Sequence, residues 1–155
     1  MDYIVSGLPL APFQSLFGLD ETELRARGIT RMTADAKPGY PCRITLEDAE
    51  PGETLLLLNW RHLDADSPYR GDGPIFVRES ATATGELRNA IPEQQHSRLL
   101  SVRAYDTEGW MRDAEVAEGA ELESLIERFF ADPKVAFLHA HNARRGCYAC
   151  RIERA

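Results

Sequence analysis

The sequence lacks any run of about eighteen apolar residues, the length that a membrane-spanning helix requires. It also lacks an excess of basic residues, since 25 acidic side chains outnumber 18 basic ones and give a formal net charge of −7. Binding to nucleic acid depends on neutralising phosphates, and the bases here are scattered. We therefore expect neither nucleic acid nor a membrane as a partner.

The chain also has few cysteines, and no export signal is predicted at its start. The chain has three cysteines, an odd number, which argues against a disulfide framework. The first residues carry Asp2 where an export signal carries Lys or Arg, and Gly7 and Pro9 interrupt their apolar part. These features predict a cytoplasmic protein with reduced thiols. They give no signal for an oligomeric state.

A chain of 155 residues is long enough for one compact domain, which we expect to span residues 1–155. Several strands with segregated helices favour an α+β fold, with a mostly antiparallel sheet of about six to eight strands. One main C-terminal helix is predicted over residues 120–131, where large apolar side chains recur at helical spacing. A short N-terminal helix after Asp20 is predicted by a capping box with Glu23, and it should pack on the same sheet.

Alternation of apolar and polar residues predicts the strands. Residues 54–60, TLLLLNW, contain an unbroken run of four leucines, which favours a strand covered on both faces. Residues 99–105 and 110–116 predict a hairpin, and residues 42–46 predict a strand with Cys42 on its apolar face. Residues 79–92 have few large apolar side chains and are predicted to be a mobile connection.

The stretch richest in histidine and cysteine is VAFLHAHNARRGCYACR, residues 135–151, which holds two of the four histidines and two of the three cysteines. As a β-hairpin, it places His139 and His141 on one face. With a five-residue loop at 142–146, His141 would face Cys147, while Cys150 would fall on the opposite face. A loop one residue shorter or longer would pair the histidines with Cys150 instead. Because a strand separates the two sulphurs, we discount a CxxC site.

Three interpretations of His139, His141 and Cys147 remain open. The side chains can be structural, with imidazoles bonded to the backbone and a cysteine packed as a small apolar residue. They can form a metal site, since two imidazoles aim at one ion and His62 or a thiolate supplies a third ligand, for a divalent metal such as zinc. They can also perform thiol chemistry, with Cys147 as nucleophile and a histidine as base.

A polar loop over residues 61–73 is longer than most connections, and such loops are disproportionately functional. Three of its residues are candidates for binding a small anionic or polar ligand, namely His62, Tyr69 and Arg70. Asn59 and Arg78, which flank the loop, are further candidates. An arginine can clamp an anion with two hydrogen bonds, although salt bridging at the surface is the more common fate of such residues.

With these residues in view, the chain resembles a bacterial family catalogued as domain of unknown function 1203. The similarity lies in the blocks PFQSLFGLDETELRARG, GYPCRITLEDAEPGETLLLLNWRH, DSPYRGDGPIFVRE, LLSVRAYDTEGWMRDAEV and ELESLIERFFADPKVAFLHAHNARRGCYACRI. The resemblance implies one compact cytoplasmic domain and brings no activity. Cys150 departs from the family pattern, which more often has a small residue there.

Two functional hypotheses follow. In the first, the protein is a small metal- or thiol-dependent enzyme whose site combines His139, His141 and Cys147 with His62, Tyr69 and Arg70. In the second, it is a non-catalytic module that binds a small molecule or a partner, and the same side chains are structural.

Overall fold

The computed structural model describes all 155 residues and contains nine strands and four α-helices. The strands are β1 (Tyr3–Ser6), β2 (Thr30–Thr33), β3 (Thr54–Leu63), β4 (Gly71–Arg78), β5 (Glu86–Arg88), β6 (Leu99–Tyr105), β7 (Met111–Glu118), β8 (Phe137–Asn142) and β9 (Tyr148–Arg154). The helices are α1 (Ala11–Gln14), α2 (Glu21–Ala26), α3 (Glu93–His96) and α4 (Leu122–Phe130). None of the helices has the length and apolar character needed to cross a membrane.

The strands form two antiparallel sheets. A six-stranded sheet has the order β5-β1-β9-β8-β6-β7, and a three-stranded sheet has the order β2-β3-β4. The α+β class is therefore confirmed, while the prediction of a single sheet with six to eight strands is wrong. The reason is that β3, predicted from its leucine run to be covered on both faces, pairs only with β2 and β4 and forms the middle of its own small sheet.

The main core lies between α4 and one face of the six-stranded sheet. The predicted C-terminal helix is confirmed, and a short 3-10 turn at Gly119–Glu121 precedes it. Leu122, Ile126 and Phe129 of the helix are almost fully buried against apolar side chains of β1, β6, β8 and β9. Cys150 belongs to this cluster with 0% exposure, so its predicted position on the core face is confirmed.

The N-terminal helix α2 begins with the predicted capping box. The Asp20 carboxylate accepts a 2.8 Å hydrogen bond from the Glu23 amide, and the Glu23 carboxylate accepts a 3.2 Å bond from the Asp20 amide. Leu24 of this helix packs with Leu56 and Leu58 of β3 in a second apolar cluster. The helix therefore packs on the three-stranded sheet, because its one buried leucine finds an apolar surface there.

Two local predictions are wrong. Residues 42–46 do not form a strand, since Cys42 makes only an isolated bridge to Phe76 and a turn follows. Arg43 lies within this segment and is only 1% exposed, because its guanidinium donates to the backbone carbonyls of Pro41 and Tyr148. Residues 79–92 are not a plain connection either, because β5 pairs there with β1 and supplies an edge of the larger sheet.

We expect the substitution Ile126→Ala to lower the free energy of unfolding by about 2–5 kcal/mol, because it leaves a cavity in the main core. Urea denaturation followed by circular dichroism measures this change. The exposed neighbour Glu127, changed to Ala, is the matched control and should shift stability by less than about 0.5 kcal/mol. Equal effects of the two substitutions would contradict the packing of α4 described here.

Candidate functional site

The second face of β8 carries a cluster of imidazoles. Leu138 and Ala140 point into the main core, so His139 and His141 point to the opposite face of the sheet. Strand β3 of the smaller sheet crosses that face and brings His62 to the same place. One ring nitrogen from each histidine can be chosen so that all three lie within 4.8 Å of one another. We call His62, His139 and His141 the histidine triad.

The triad is held by aromatic packing. The His62 ring lies 4.9 Å from the His141 ring, nearly perpendicular to it, and stacks on the Tyr148 ring with centroids 5.6 Å apart. His139 packs edge-on against Tyr148 at 5.0 Å and against Tyr105 at 5.5 Å. These contacts restrict ring rotation and fix where each nitrogen points.

Hydrogen bonding defines the tautomer of His141. Its Nδ1 lies 3.0 Å from the carbonyl oxygen of Gly146, and a carbonyl only accepts, so Nδ1 carries the proton. Gly146 has a φ of +80°, a conformation that favours glycine and turns the loop back towards β8. The lone pair of His141 is therefore on Nε2, which faces the Arg103 Nη1 atom at 3.5 Å. A metal-ligating histidine commonly has its second nitrogen fixed by a carbonyl in this way.

Two nitrogens of the triad have no hydrogen-bond partner. Nδ1 of His62 and Nδ1 of His139 are buried and have no hydrogen-bond partner, and His139 as a whole is only 1% exposed. A buried polar atom without a partner costs about 1–3 kcal/mol. Their presence in the same cluster indicates a place where a ligand would supply the missing interaction.

The triad is electrically neutral at pH 7. Burial is the largest cause, and it lowers the pKa of His62 and of His141, the latter to about 4. Burial together with the charge of Arg151 lowers the pKa of His139 well below its ordinary value. Neutral imidazole is the form that binds metals, so the triad needs no deprotonation to act as a ligand set.

Two arginines that sequence reasoning missed flank the triad. The Arg103 Nη1 atom lies 3.5 Å from Nε2 of His141, and the Arg151 Nη1 atom lies 3.5 Å from Nε2 of His139. Both arginines are half-buried, and strand register places them on either side of His139. Only the strand order β9-β8-β6 reveals this row, and the sequence contains no local signal for it.

The predicted pairing of the histidines with Cys147 is wrong. Residues 143–147 join β8 to β9, and a hydrogen bond from the Asn142 amide to the Cys147 carbonyl closes the turn over 143–146. A register shift between Ala140 and His141 then places His141 opposite Tyr148 and His139 opposite Arg151. The Cys147 sulphur accepts hydrogen bonds from Arg43 at 3.0 Å and from Asn142 at 3.8 Å, and none comes from a histidine.

The remaining predicted ligand-binding residues lie outside the triad. The connection is shorter than expected, at 64–70, because β3 extends through His62 to Leu63 and β4 begins at Gly71. Within it, Arg70 pairs with Asp64 at 3.0 Å, and Tyr69 is exposed against the rings of Tyr105 and Trp110.

Asn59 and Arg78 are also separate from the triad. Asn59 is exposed and lies opposite Pro74 in the β3–β4 pair. Arg78 makes ion pairs with Glu47 and Glu53 at the far end of β4, about 20 Å from the β3 end that carries His62. The predicted anion clamp of Arg70 and Arg78 is not assembled, because both guanidiniums are already paired with carboxylates.

Comparison with known proteins identifies one family. A model described as a protein of unknown function (DUF1203) matches residues 39–154, which is more than half of the chain and includes the whole triad and Cys147. No curated protein and no solved structure matches the chain.

The lowered pKa values predict an acid-sensitive fold. Between pH 6.5 and about 4 the unfolded chain protonates His141 while the folded chain does not, so stability falls as the pH falls through this window. The slope should approach about 1.4 kcal/mol per pH unit for each such histidine. Urea denaturation at several pH values, with a chelator present, measures it.

The substitution His141→Asn should reduce the dependence of unfolding free energy on pH by the contribution of one histidine, up to about 1.4 kcal/mol per pH unit. The exposed His96, changed to Asn, is the control and should retain the slope of the unaltered protein. If the His141 variant and the unaltered protein lose stability in parallel on acidification, the neutral state of this imidazole is disproved.

Proposed function

We propose that this chain, which belongs to the DUF1203 family, binds a divalent transition-metal ion through His62, His139 and His141, and that it prefers zinc. The observation that carries the proposal is the convergence of three neutral imidazoles, two of which contain a buried nitrogen without a partner. No protein acceptor fixes the tautomer of His62 or His139, so each neutral ring can present a lone pair to a bound cation.

The donor set favours zinc over calcium or magnesium. Imidazole nitrogens suit zinc, copper and nickel, whereas calcium and magnesium prefer oxygen ligands, and no carboxylate belongs to the cluster. Nitrogens at 2.0–2.1 Å from a tetrahedral zinc ion lie about 3.3 Å apart. The triad nitrogens lie within 4.8 Å of one another, so the rings would have to bring them closer by up to about 1.5 Å on binding zinc.

Three protein ligands leave a fourth zinc position open, which is the arrangement of catalytic rather than structural zinc sites. Arg103 and Arg151 lie beside the triad, and their positive charges would attract an anionic group to that position. We therefore assign the site to a metal-dependent enzyme that acts on a small anionic substrate. The flanking guanidiniums also weaken cation binding by repulsion, which limits the affinity for zinc.

The direct test is metal titration of protein prepared with a chelator. We expect one zinc ion per chain by calorimetry, and cobalt(II) should give the visible absorption of a tetrahedral site. Replacing any one triad residue by Ala should weaken zinc binding at least about tenfold, since each supplies one of three ligands. His96→Ala is the matched control, because His96 is exposed and outside the cluster. Absence of stoichiometric zinc binding would leave the triad as aromatic packing between the sheets.

A second test concerns the flanking charge. Arg151→Met keeps a long apolar stem over the Phe137 ring, where the guanidinium carbon now lies 3.8 Å from the ring centroid. Removing this positive charge should strengthen zinc binding by about fivefold or more, because one unit charge near a divalent ion is worth on the order of 1 kcal/mol. Calorimetry measures the change, and Arg112→Met, at an exposed position on β7, is the control. Weaker zinc binding in the Arg151 variant would contradict the repulsion argued here.

A further inference from the structure

A cavity of about 840 Å³ opens between the two sheets, beside the loop that joins β8 to β9. Its lining includes apolar side chains from the smaller sheet, among them Leu57 and Phe76, and Cys147 with four arginines: Arg43, Arg98, Arg144 and Arg145. Glu118 is the one acidic residue of the lining. None of the triad histidines lines it, so this cavity is distinct from the proposed zinc site.

Arg43 is an unusual residue within this lining. It is 1% exposed and forms no ion pair with a carboxylate, although the guanidinium stays charged in proteins. Its Nε donates to the Tyr148 carbonyl at 2.7 Å, its Nη1 donates to the Pro41 carbonyl at 2.5 Å, and its Nη2 donates to the Cys147 sulphur at 3.0 Å. Cys147 is therefore the one ionisable acid hydrogen-bonded to this buried cation.

That contact changes the chemistry of the sulphur. A buried charge without an opposite charge is strongly destabilising, and the thiolate of Cys147 would supply the missing negative charge. A cation next to a cysteine favours the thiolate, which is the nucleophilic form. Asn142 donates a further, longer hydrogen bond to the same sulphur at 3.8 Å, so two donors surround the position where negative charge would develop.

The charge of the cavity indicates the kind of molecule that would reach the sulphur. Arg98 is neutralised by Asp48, with hydrogen bonds of 2.7 and 3.0 Å. Arg144 and Arg145 are exposed, and neither forms a hydrogen bond or an ion pair with a protein side chain. These two guanidiniums lie on the loop between β8 and β9, directly before Gly146 and Cys147. A carboxylate or phosphate suits such a pair.

We propose that Cys147 is a nucleophilic thiol in a cavity that binds small anionic electrophiles, with Arg43 stabilising the thiolate and with Arg144 and Arg145 binding the carboxylate or phosphate of the ligand. The sulphur attacks an electrophilic carbon of the bound anion, a carbon–sulphur bond forms, and the leaving group departs with the electron pair of the bond that breaks. The base expected from the sequence, a histidine, has no part in this site.

Alkylation with two reagents of similar size tests the proposal. Iodoacetate carries a carboxylate and iodoacetamide is neutral, and each transfers its CH₂ carbon to sulphur with release of iodide. Cys42 and Cys150 are both 0% exposed, so labelling of the native protein by intact mass spectrometry should report Cys147, and Cys147→Ser should abolish it. The experiment is performed at pH 7 with a chelator present, so its outcome does not depend on zinc binding.

The expected result is a preference for iodoacetate that depends on the loop arginines. In the double variant Arg144→Ala, Arg145→Ala, the rate with iodoacetate should fall at least about fivefold, while the rate with iodoacetamide changes less than about twofold. The double variant Arg25→Ala, Arg112→Ala is the matched control, since it removes the same charge from exposed positions that do not line the cavity. Inorganic phosphate should slow labelling of the unaltered protein more than chloride at equal ionic strength.

Three outcomes would overturn the proposal. They are a native Cys147 that resists both reagents, a reagent preference that the loop arginines do not change, and an equal loss of preference in the control double variant. Arg43→Met separates the role of the buried cation, because a folded variant should alkylate more slowly with both reagents. If that variant does not fold, the loop double variant alone decides the assignment.

Discussion

Strand β8 is covered on both faces, and most features of the candidate sites follow from this constraint. Helix α4 packs on one face, and β3 of the smaller sheet crosses the other, so His139 and His141 are each only 1% exposed. Water cannot satisfy their nitrogens, and the protein supplies only part of what is needed. The Gly146 carbonyl holds one nitrogen of His141, while Nδ1 of His139 remains unpaired. The same burial keeps the imidazoles neutral, so it both creates the unsatisfied groups and leaves them in the form that binds a metal.

A single extra residue in β9 sets the register of the β8–β9 hairpin. The turn closed by Asn142 and Cys147 would by itself have placed His139 opposite Cys150, but the shift in register between Ala140 and His141 returns Cys150 to the core face and brings His139 opposite Arg151. Tyr148 then stacks on His62, while Cys147, the adjacent residue, contacts Arg43 and lines the cavity. Cys147, directly before β9, and Tyr148, its first residue, thus contribute to different proposed sites, as adjacent residues of an extended chain point to opposite sides.

Local patterns in the sequence predicted the structural features that depend on residues close together in the chain. The apolar stripe of α4, the capping box at Asp20 and the β6–β7 hairpin are confirmed, because each depends on residues close together in the chain. The register of the β8–β9 hairpin was wrong, because loop length and a bulge shift the pairing by one residue each. The burial of Arg43 was missed because its partners, the Tyr148 carbonyl and the Cys147 sulphur, lie more than a hundred residues away in sequence.

The acidic composition of the chain does not conflict with the two proposed sites for anions. A net charge of −7 acts over the whole surface, and at physiological salt its effect is screened within about 8 Å. Binding of a small anion depends instead on the charges within that distance, and at the cavity these include Arg144 and Arg145, which no carboxylate neutralises. A nucleic acid would have to contact many phosphates over a long surface, and the scattered bases do not offer one. The scattered bases thus weigh against an extended polyanion, whereas the proposed binding of a small anion rests on a few arginines, which the net charge does not oppose.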